Sequence, residues 1–504
     1  MRIGHQRLVV VGALSFVLGG CASLTPQPLS VHEIASVSAV DRQQAHHDVE
    51  PLKGPLSLDE AIARAIKYNL DRRTRLMEEA IAQGMLDVGK YDMLPKLVAS
   101  AGYRDRNNDL VTRSTDSVTG LPSLSNPYIS SDRVAATTDL SFTWSLLDFG
   151  QSYYASKQNA DRVLIAGEQR RKALHNLIQD VEIAFWRTAS AQKLHDEVKS
   201  TIHAAEDALA DSRKAEAERL RNPLDALRYQ RQLLESLRLL EAVDQDLSTA
   251  HIELAALVNL PLSQDFKVVE PGDTVSDKWQ NVPVDKMEEL AIANNADLRM
   301  SFYKARIAQE ETRRVMLKMF PGLSFSYSTN HSNDSYLIHQ NWTEAAAQIS
   351  FNLLGLLSAP EQMRLAKAGV ALADQQRMTT QMAVLTQVHV ARLQYGNALR
   401  QFERADAIWK VDEGIAQQVA NREQAHTLTR LDSVASQTAA ILSLLRRYQA
   451  LAQAQAAAGK LQATLGLEPN VTASNVPLSK LTQAVGTTLR QWNNGQLQLA
   501  AGNK

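Results

Sequence analysis

Acids, histidines and hydroxyls are spread through this chain without the spacings that make a reactive centre. No Gly-rich loop follows a strand-like run, and neither HExxH nor CxxC occurs. No catalytic site, cofactor or metal is expected. His32 and the pair His46-His47 sit in a Ser-, Pro-, Asp- and Gln-containing stretch without carboxylates or cysteines at ligand spacing, and they read as solvated. Two carboxylates stand out. Asp225 closes the string Asn222-Pro223-Leu224-Asp225, and Asp432 closes Thr429-Arg430-Leu431-Asp432. Asn222 and Thr429 have N-cap chemistry, Pro223 suits a first helical position, and an acid in the first turn meets the positive end of the helix dipole. The same acids, repeated around an assembly, would form a charged ring. Arg219, Arg221 and Arg430 lie near enough in sequence to pair with them, and His426 stands just before the second start signal.

The only thiol is Cys21, so no intrachain disulfide can form. Ahead of it come Arg2 and Arg7, a short apolar run from Leu8 to Leu18, and Gly19-Gly20. This is a secretory signal over 1–20, too short to span a membrane as a helix. Leu18-Gly19-Gly20-Cys21 resembles a bacterial lipobox, in which the cysteine is lipidated and becomes the first residue. That likeness implies an acyl, palmitate-type anchor at Cys21. Ala22, rather than Asp, after the cysteine implies sorting to the outer membrane.

The elements that position the two acids come from a repeat. Shifting the sequence by 226 residues matches 13 of the 43 positions 58–100, including Asp59 with Asp285, Asn69 with Asn295, Asp71 with Asp297 and Pro95 with Pro321. Further on the shift is 207, pairing Leu146-Leu147 with Leu353-Leu354 and Leu224-Asp225 with Leu431-Asp432. One unit of about 200 residues was therefore duplicated, with 19 residues of extra chain in one copy between Ser100 and Leu146. Each copy reads the same way. Ser57 with Glu60 suggests a capping box that opens a helix, broken near Asn69 and ended by Pro95. Leu97, Ala99, Ala101 and Tyr103, and then Ala136, Thr138, Leu140, Phe142 and Trp144, alternate as strands do. Leu323, Phe325 and Tyr327, with Ala345, Ala347, Ile349 and Phe351, repeat them. Polar loops are expected at Arg106–Arg133 and Asn330–Glu344. Then Ala191, Leu194, Val198, Ile202 and Leu209 step by helical spacing in a segment about 100 Å long, as do Tyr395, Ala398, Phe402, Ala405 and Trp409. Each long helix turns at one of the acids and returns.

The expected domains are a signal peptide at 1–20 and a lipidated tether at 21–56 without apolar periodicity. A first repeat at 57–265 follows, with a β-hairpin at 96–147 and a long helical hairpin at 151–260. A linker at 266–283 leads to a second repeat at 284–470, with hairpins at 322–354 and 361–467, and a tail covers 471–504. A net charge of −1 gives no nucleic-acid footprint, and no later run of about 18 apolar residues would span a membrane as a helix. Only 22 Gly and 15 Pro in 504 residues favour long helices. The fold class is mainly α with a small β part. Duplicated antiparallel helical hairpins form an α-barrel, and two β-hairpins per chain supply part of an oligomeric transmembrane β-barrel. Four strands cannot close alone, since membrane barrels need at least about eight.

This order of elements resembles the TolC family of outer-membrane efflux proteins over about residues 57–470. The carrying residues are Leu58-Asp59-Glu60-Ala61 with Asn69, Pro95 before a strand, Leu147-Asp148-Phe149-Gly150 after one, the Leu-Asp pair at each turn, and Leu465-Gly466-Leu467. Arg219 and His426 stand where the family often has Gly, and Gly355-Leu356-Leu357 replaces the Asp-Phe-Gly string. The resemblance implies a homotrimer in the Gram-negative outer membrane, in contact with its lipid, with a 12-stranded barrel and a periplasmic tunnel. It also implies a periplasmic adaptor and an inner-membrane pump as partners, small-molecule efflux, and a periplasmic mouth at the turns. Arg219, Arg221, Asn222, Asp225, His426, Thr429, Arg430 and Asp432 are then the tip and gate residues. The alternatives are the exit duct of a type I protein secretion system and a lipid-anchored periplasmic coiled-coil adaptor, which would need no duplicated strand pairs.

Overall fold

The computed structural model describes residues 27–124, 126–218, 222–270, 276–425, 427–469 and 476–494. The expected signal at 1–20 and Cys21 lie outside the described residues, as do Arg219, Arg221 and His426. The chain divides into two compact units, Met1–Pro51 and Leu52–Lys504. The described part of the first contains one helix, α1 (Val31–His46), where the sequence suggested an unstructured tether. Its cause is local. Glu33 N–H donates to Ser30 Oγ at 3.2 Å and Ser30 N–H to the Glu33 carboxylate at 2.8 Å, a complete capping box. No residue of α1 is buried, so it has no apolar stripe to announce it.

In the second unit, α2 (Leu58–Tyr68) and α3 (Leu70–Tyr91) lead into a hairpin of β1 (Lys96–Asp105) and β4 (Val134–Ser145). Their connection carries the two-residue strands β2 (Val111–Thr112) and β3 (Tyr128–Ile129), a small ladder inside the expected loop. Then come α4 (Leu146–Ala217) and α5 (Pro223–Leu257). The second copy runs α6 (Val284–Asn294), α7 (Ala296–Leu317), β5 (Gly322–Ser332), β6 (Asn341–Ser350), α8 (Leu353–Gln424) and α9 (Arg430–Thr464), and α10 (Leu478–Asn493) follows. The copies agree to the residue. α2 and α6 have 11 residues each, α3 and α7 have 22, α4 and α8 have 72, and α5 and α9 have 35. The extra chain lies in the β1–β4 connection, 106–133, against 333–340 in copy two.

Local chemistry sets the boundaries. Ser57 Oγ accepts from Glu60 N–H at 3.2 Å, but the Glu60 carboxylate takes Arg64 at 2.9 Å, so only half of the expected capping box forms. The long helices start earlier than periodicity suggested. Ser145 Oγ caps Asp148 N–H at 3.2 Å and Asn352 Oδ1 caps Gly355 N–H at 2.7 Å, so the residues just after each strand already form the first turn.

At about 1.5 Å per residue α4 and α8 are each roughly 108 Å long. Each long helix has one end at the sheet and the other at a turn. Beside the half nearer the sheet, α4 packs on α3 and α7, and α7 on α8; beside the other half, α4 packs on α5 and α9, and α9 on α8. The sheet is antiparallel in the order β1-β4-β5-β6. The helices joined to those strands, α3, α4, α7 and α8, follow the same order, so strands and helices continue one another as a single four-element layer.

Two asparagines join its halves. Asn69 Oδ1 accepts from Arg72 N–H at 3.0 Å while its Nδ2 donates to Leu257 O, the last residue of α5, at 3.2 Å. In copy two Asn295 Oδ1 accepts from Leu298 N–H at 3.2 Å and its Nδ2 donates to Thr464 O, the end of α9, at 3.0 Å. The return helices end alike, on a left-handed residue, Asn259 at φ 56° and Gly466 at φ 71°. Leu260 N–H reaches back to Ala255 O at 2.8 Å and Leu467 N–H to Gln462 O at 3.0 Å, the six-residue closure of a Schellman cap.

One hydrophobic core cluster sits around the copy-two joint. Trp186, Trp279, Met287, Leu298, Tyr395, Leu461 and Trp492 are buried together there. Two expectations are corrected by it. The segment 266–283 is not a plain linker: Val268 bridges to Leu56 and Trp279 is 1% exposed. Of the expected tail, the described residues 476–494 hold a helix, α10, which buries Leu478, Leu481, Val485 and Trp492 and packs on α2.

Gly466 also meets Asn294 O, with no room for a Cβ. Gly466→Ala is therefore expected to cost about 2–4 kcal/mol, left-handed strain plus overpacking. Asn259→Gly should change stability by well under about 1 kcal/mol. Denaturant midpoints of the two variants provide the comparison.

Candidate functional site

Two places in the second unit carry the residues the sequence singled out: the sheet and the helix tips. Registers across the sheet place Leu97 against Phe142, Phe142 against Tyr327 and Tyr327 against Ala345. Ala99 likewise meets Leu140, Trp144 meets Phe325, and Leu323 meets Ile349. Pleating puts all of these on one face. The other face carries Ser100, Ser141, Thr143, Ser324, Ser326, Ser328 and Ser350, with Lys96, Arg104, Asp139 and Glu344 as its charges. The first face is a mainly apolar plate, with Asp105 at its loop end, and the other a mainly hydroxyl floor with two charges of each sign and with Val98 and Trp342 among its residues.

Among the described residues, neither face is covered at the two outer strands. Every residue of β1 and β6 is exposed, including Leu97 at 66% and Ile349 at 74%. Among the described residues, the outer edges of β1 and β6 have no paired strand in the sheet. The helices next to them repeat the pattern: α3 exposes Met77, Ile81, Met85 and Val88, and α8 exposes Leu365, Leu372, Met382 and Leu393. Aromatics collect where strands pass into helices. Trp144 and Phe149 meet edge to face at 6.0 Å, and Phe320 and Phe351 are exposed nearby in sequence. At the other end the two hairpin loops are tied together. Ser335 Oγ donates to the Asp132 carboxylate at 2.9 Å, and Asp132 N–H donates to the Asp334 carboxylate at 3.1 Å.

At the tips, Asn222 Oδ1 accepts from Leu224 N–H at 3.0 Å, and Asp225 lies 4.0 Å from Arg228. Thr429 and Asp432 form a reciprocal capping box: Asp432 N–H to Thr429 Oγ1 at 3.3 Å, Thr429 N–H to the Asp432 carboxylate at 3.0 Å, and Thr429 Oγ1 to that carboxylate at 2.6 Å. The Thr429 hydroxyl, and then its N–H, hold the Asp432 carboxyl below the ordinary carboxylate range. The sequence suggested Arg430 as a partner of these acids, and this is corrected. Arg430 reaches across to α4, where Asp207 lies at 3.3 Å and Asp211 at 3.8 Å. Asp207 and Asp211 were missed. Their one signal is spacing, two acids one helical turn apart near the end of a long helix. The resulting bridge ties the turn of copy two to the long helix of copy one.

No protein-family model matches the sequence, and no curated protein matches it. Solved structures do. A membrane protein from Pseudomonas aeruginosa superposes with a TM-score of 0.64 at 16% identity, covering 83% of this chain and 92% of that one. The CmeC outer membrane channel of Campylobacter jejuni gives 0.62 at 11%, covering 86% and 89%. The open state of the MtrE outer membrane channel of Neisseria gonorrhoeae gives 0.61 at 15%, covering 81% and 89%. The fold is therefore TolC-like.

Thr429→Ala removes one half of the cap at α9 and is expected to cost about 1 kcal/mol. Because the folded-state pKa of Asp432 is depressed, its contribution to stability is present above the unfolded carboxyl value, about 3.9, and fades as pH falls below it. The difference in melting temperature between wild type and Asp432→Asn should accordingly shrink on acidification.

Proposed function

We propose that this chain is one third of an outer-membrane efflux channel. The observation that carries the reading is the two-faced sheet with open edges. Strands of 10 to 12 residues match the length of a tilted transmembrane strand. Backbone groups cannot stay unpaired in a bilayer, so only a closed barrel is admissible there. Three copies give twelve strands, with β6 of each chain on β1 of the next and the α8 edge on the neighbouring α3 and α5. The apolar plate then meets lipid and the hydroxyl floor lines the lumen, whose two positive and two negative charges per chain give the barrel little ion preference. The helical layers close into a tunnel on the periplasmic side.

The helix ends at Ala217 and Pro223, and at Gln424 and Arg430, are the points of this layer farthest from the sheet, and they stand at the periplasmic mouth. A periplasmic adaptor and an inner-membrane pump engage there, and small molecules pass from the pump or periplasm to the exterior. The bridge from Arg430 to Asp207 and Asp211 holds the mouth in its closed arrangement. Asp225 and Asp432 add three carboxylates each to the ring, and Arg219, Arg221 and His426, neighbours in sequence, are proposed to act with them. Cys21 carries the lipid that anchors the N-terminus to the same membrane.

Adjacent residues in the middle of β4 separate the faces. Leu140→Arg puts a charge on the lipid side, expected to cost about 2–4 kcal/mol at mid-membrane, and should abolish recovery of a detergent-stable species of three times the chain mass. Ser141→Arg, one residue on, should assemble normally and lower cation conductance in planar bilayers. Equal tolerance of both changes would remove the barrel reading. Labelled palmitate should enter the wild type and not Cys21→Ser.

A further inference from the structure

Buried polar groups in folded proteins are nearly always paired, so a row of exceptions is informative. Among the described residues, His175 Nε2, Glu182 Oε2, Trp186 Nε1 and Ser190 Oγ are buried without a hydrogen-bond partner. All four lie on α4 at steps of 7, 4 and 4 residues, one stripe of the helix. The stripe faces α9. Thr464 shares a hollow with His175, Gly459 lies against Glu182, and Tyr448 and Ala452 line a cavity with Trp186 and Ser190. The seam thus joins copy one to copy two within a chain, and small residues such as Ala454, Ala458 and Gly459 make it tight. A Cβ on Gly459 would stand 3.0 Å from Glu182 Oε2.

We infer that Glu182 is a proton-operated latch: its neutral carboxyl lets α4 and α9 close over it, and its ionisation drives that seam apart. An ionised carboxylate without a partner is far costlier to bury than a neutral one, and among the described residues no surrounding charge is placed to compensate. On α4, His175 is pushed down to about 4 by burial and stays neutral near pH 7. Asp180 bears the same sign as an ionised Glu182, Lys172 is taken by Asp297 of α7, and Arg187 by Glu253 of α5. On α9, Lys460 donates to Gln394 of α8 at 3.2 Å; on α2, Arg64 is held by Glu60 at 2.9 Å. Burial pushes the Glu182 pKa up to about 8 from 4.5. The packed seam therefore holds a proton that an opened, hydrated one gives up between these two values. Within that window each unit of rising pH shifts the balance toward the open seam by up to about tenfold per site. Below the window both forms are protonated, and above it both are ionised.

The latch is specific to copy one. At the position equivalent to Glu182, copy two has His389, bonded to Glu288 at 2.7 Å, and in place of Gly459 copy one has the exposed Ile252. Seams between chains would therefore lack it. Only its effect on conduction rests on the channel reading.

The test uses the full chain in detergent and in bilayers. Wild-type melting temperature should fall from pH 5.5 to 8, while Glu182→Gln, the same shape without the titration, should stay level. An infrared band of a protonated carboxyl should persist in the wild type at pH 7, vanish above pH 8.5, and be missing from Glu182→Gln. His389→Gln should keep the wild-type slope. In bilayers the wild-type open fraction should rise over the same interval and that of Glu182→Gln should not. Superimposable melting profiles for wild type and Glu182→Gln, no such band in the wild type, or loss of the slope in His389→Gln alone would each overturn the latch. Preparations that show the melting and infrared behaviour yet never conduct would refute the channel and leave the latch standing.

Discussion

A four-stranded antiparallel sheet with two bare edges and two bare faces is an unfinished object. In water its edges invite pairing with any exposed strand, and its apolar plate of Leu97, Leu140, Phe142, Tyr327 and Ile349 invites aggregation. In a bilayer the unpaired amides alone would be prohibitive. Everything else in the second unit answers to this. Helices follow the strands one for one, so curvature imposed by closing the sheet passes directly into the helical layer. The exposed stripes of α3 and α8 lie at the same two edges as the bare strands. On the channel reading, sheet and helices would be completed by the same event.

Much of this is written locally. Alternation at Leu97–Tyr103 and Ala136–Trp144 marks the strands, Pro95 and Pro321 mark the helix ends before them, and Asn222-Pro223 and Thr429 mark the return helices. The shift from 226 to 207 residues isolates the variable hairpin loop. What escaped has a common cause. α1 lacks a clear apolar face, whereas Leu478, Leu481, Val485 and Trp492 in α10 do step at helical spacing after Pro477, and what the sequence hides there is the α2 surface that receives them. Trp279 is a lone aromatic in a Pro- and Asp-rich stretch, and nothing near it in sequence tells of the core that receives it. Arg430 finds Asp207 and Asp211 more than two hundred residues upstream, a pairing that depends on how the two copies dock. Each strand announces two faces, but only the cross-strand register tells that the apolar ones coincide.

The duplication is close in length and loose in chemistry. Asn69 and Asn295 repeat the same clamp, whereas the cap residue at the return-helix end is Asn259 in one copy and Gly466 in the other, and only the second is pressed against a neighbouring carbonyl. The seam between α4 and α9 carries unpaired polar groups that the equivalent positions of copy two do not share. Helix lengths are thus held identical while side chains diverge, so the seams built from the two copies need not be alike. Differential strength between such seams is what a layer needs if it is to yield along some lines and hold along others.

The equality of the 72-residue helices, and of the 35-residue helices, has an evolutionary consequence. A residue inserted into α4 alone would rotate every later side chain by about 100° and lift one tip past the other. Both the Arg430 bridge and the seam would lose register. Reach can change only by matched insertions in α4, α5, α8 and α9, in whole repeats that restore the facing side chains. The hairpin loops face no such requirement, and the 28 residues at 106–133 against 8 at 333–340 show it. Descendants of this gene are free to redecorate one end of the molecule by single events, while its span is inherited almost as a fixed length.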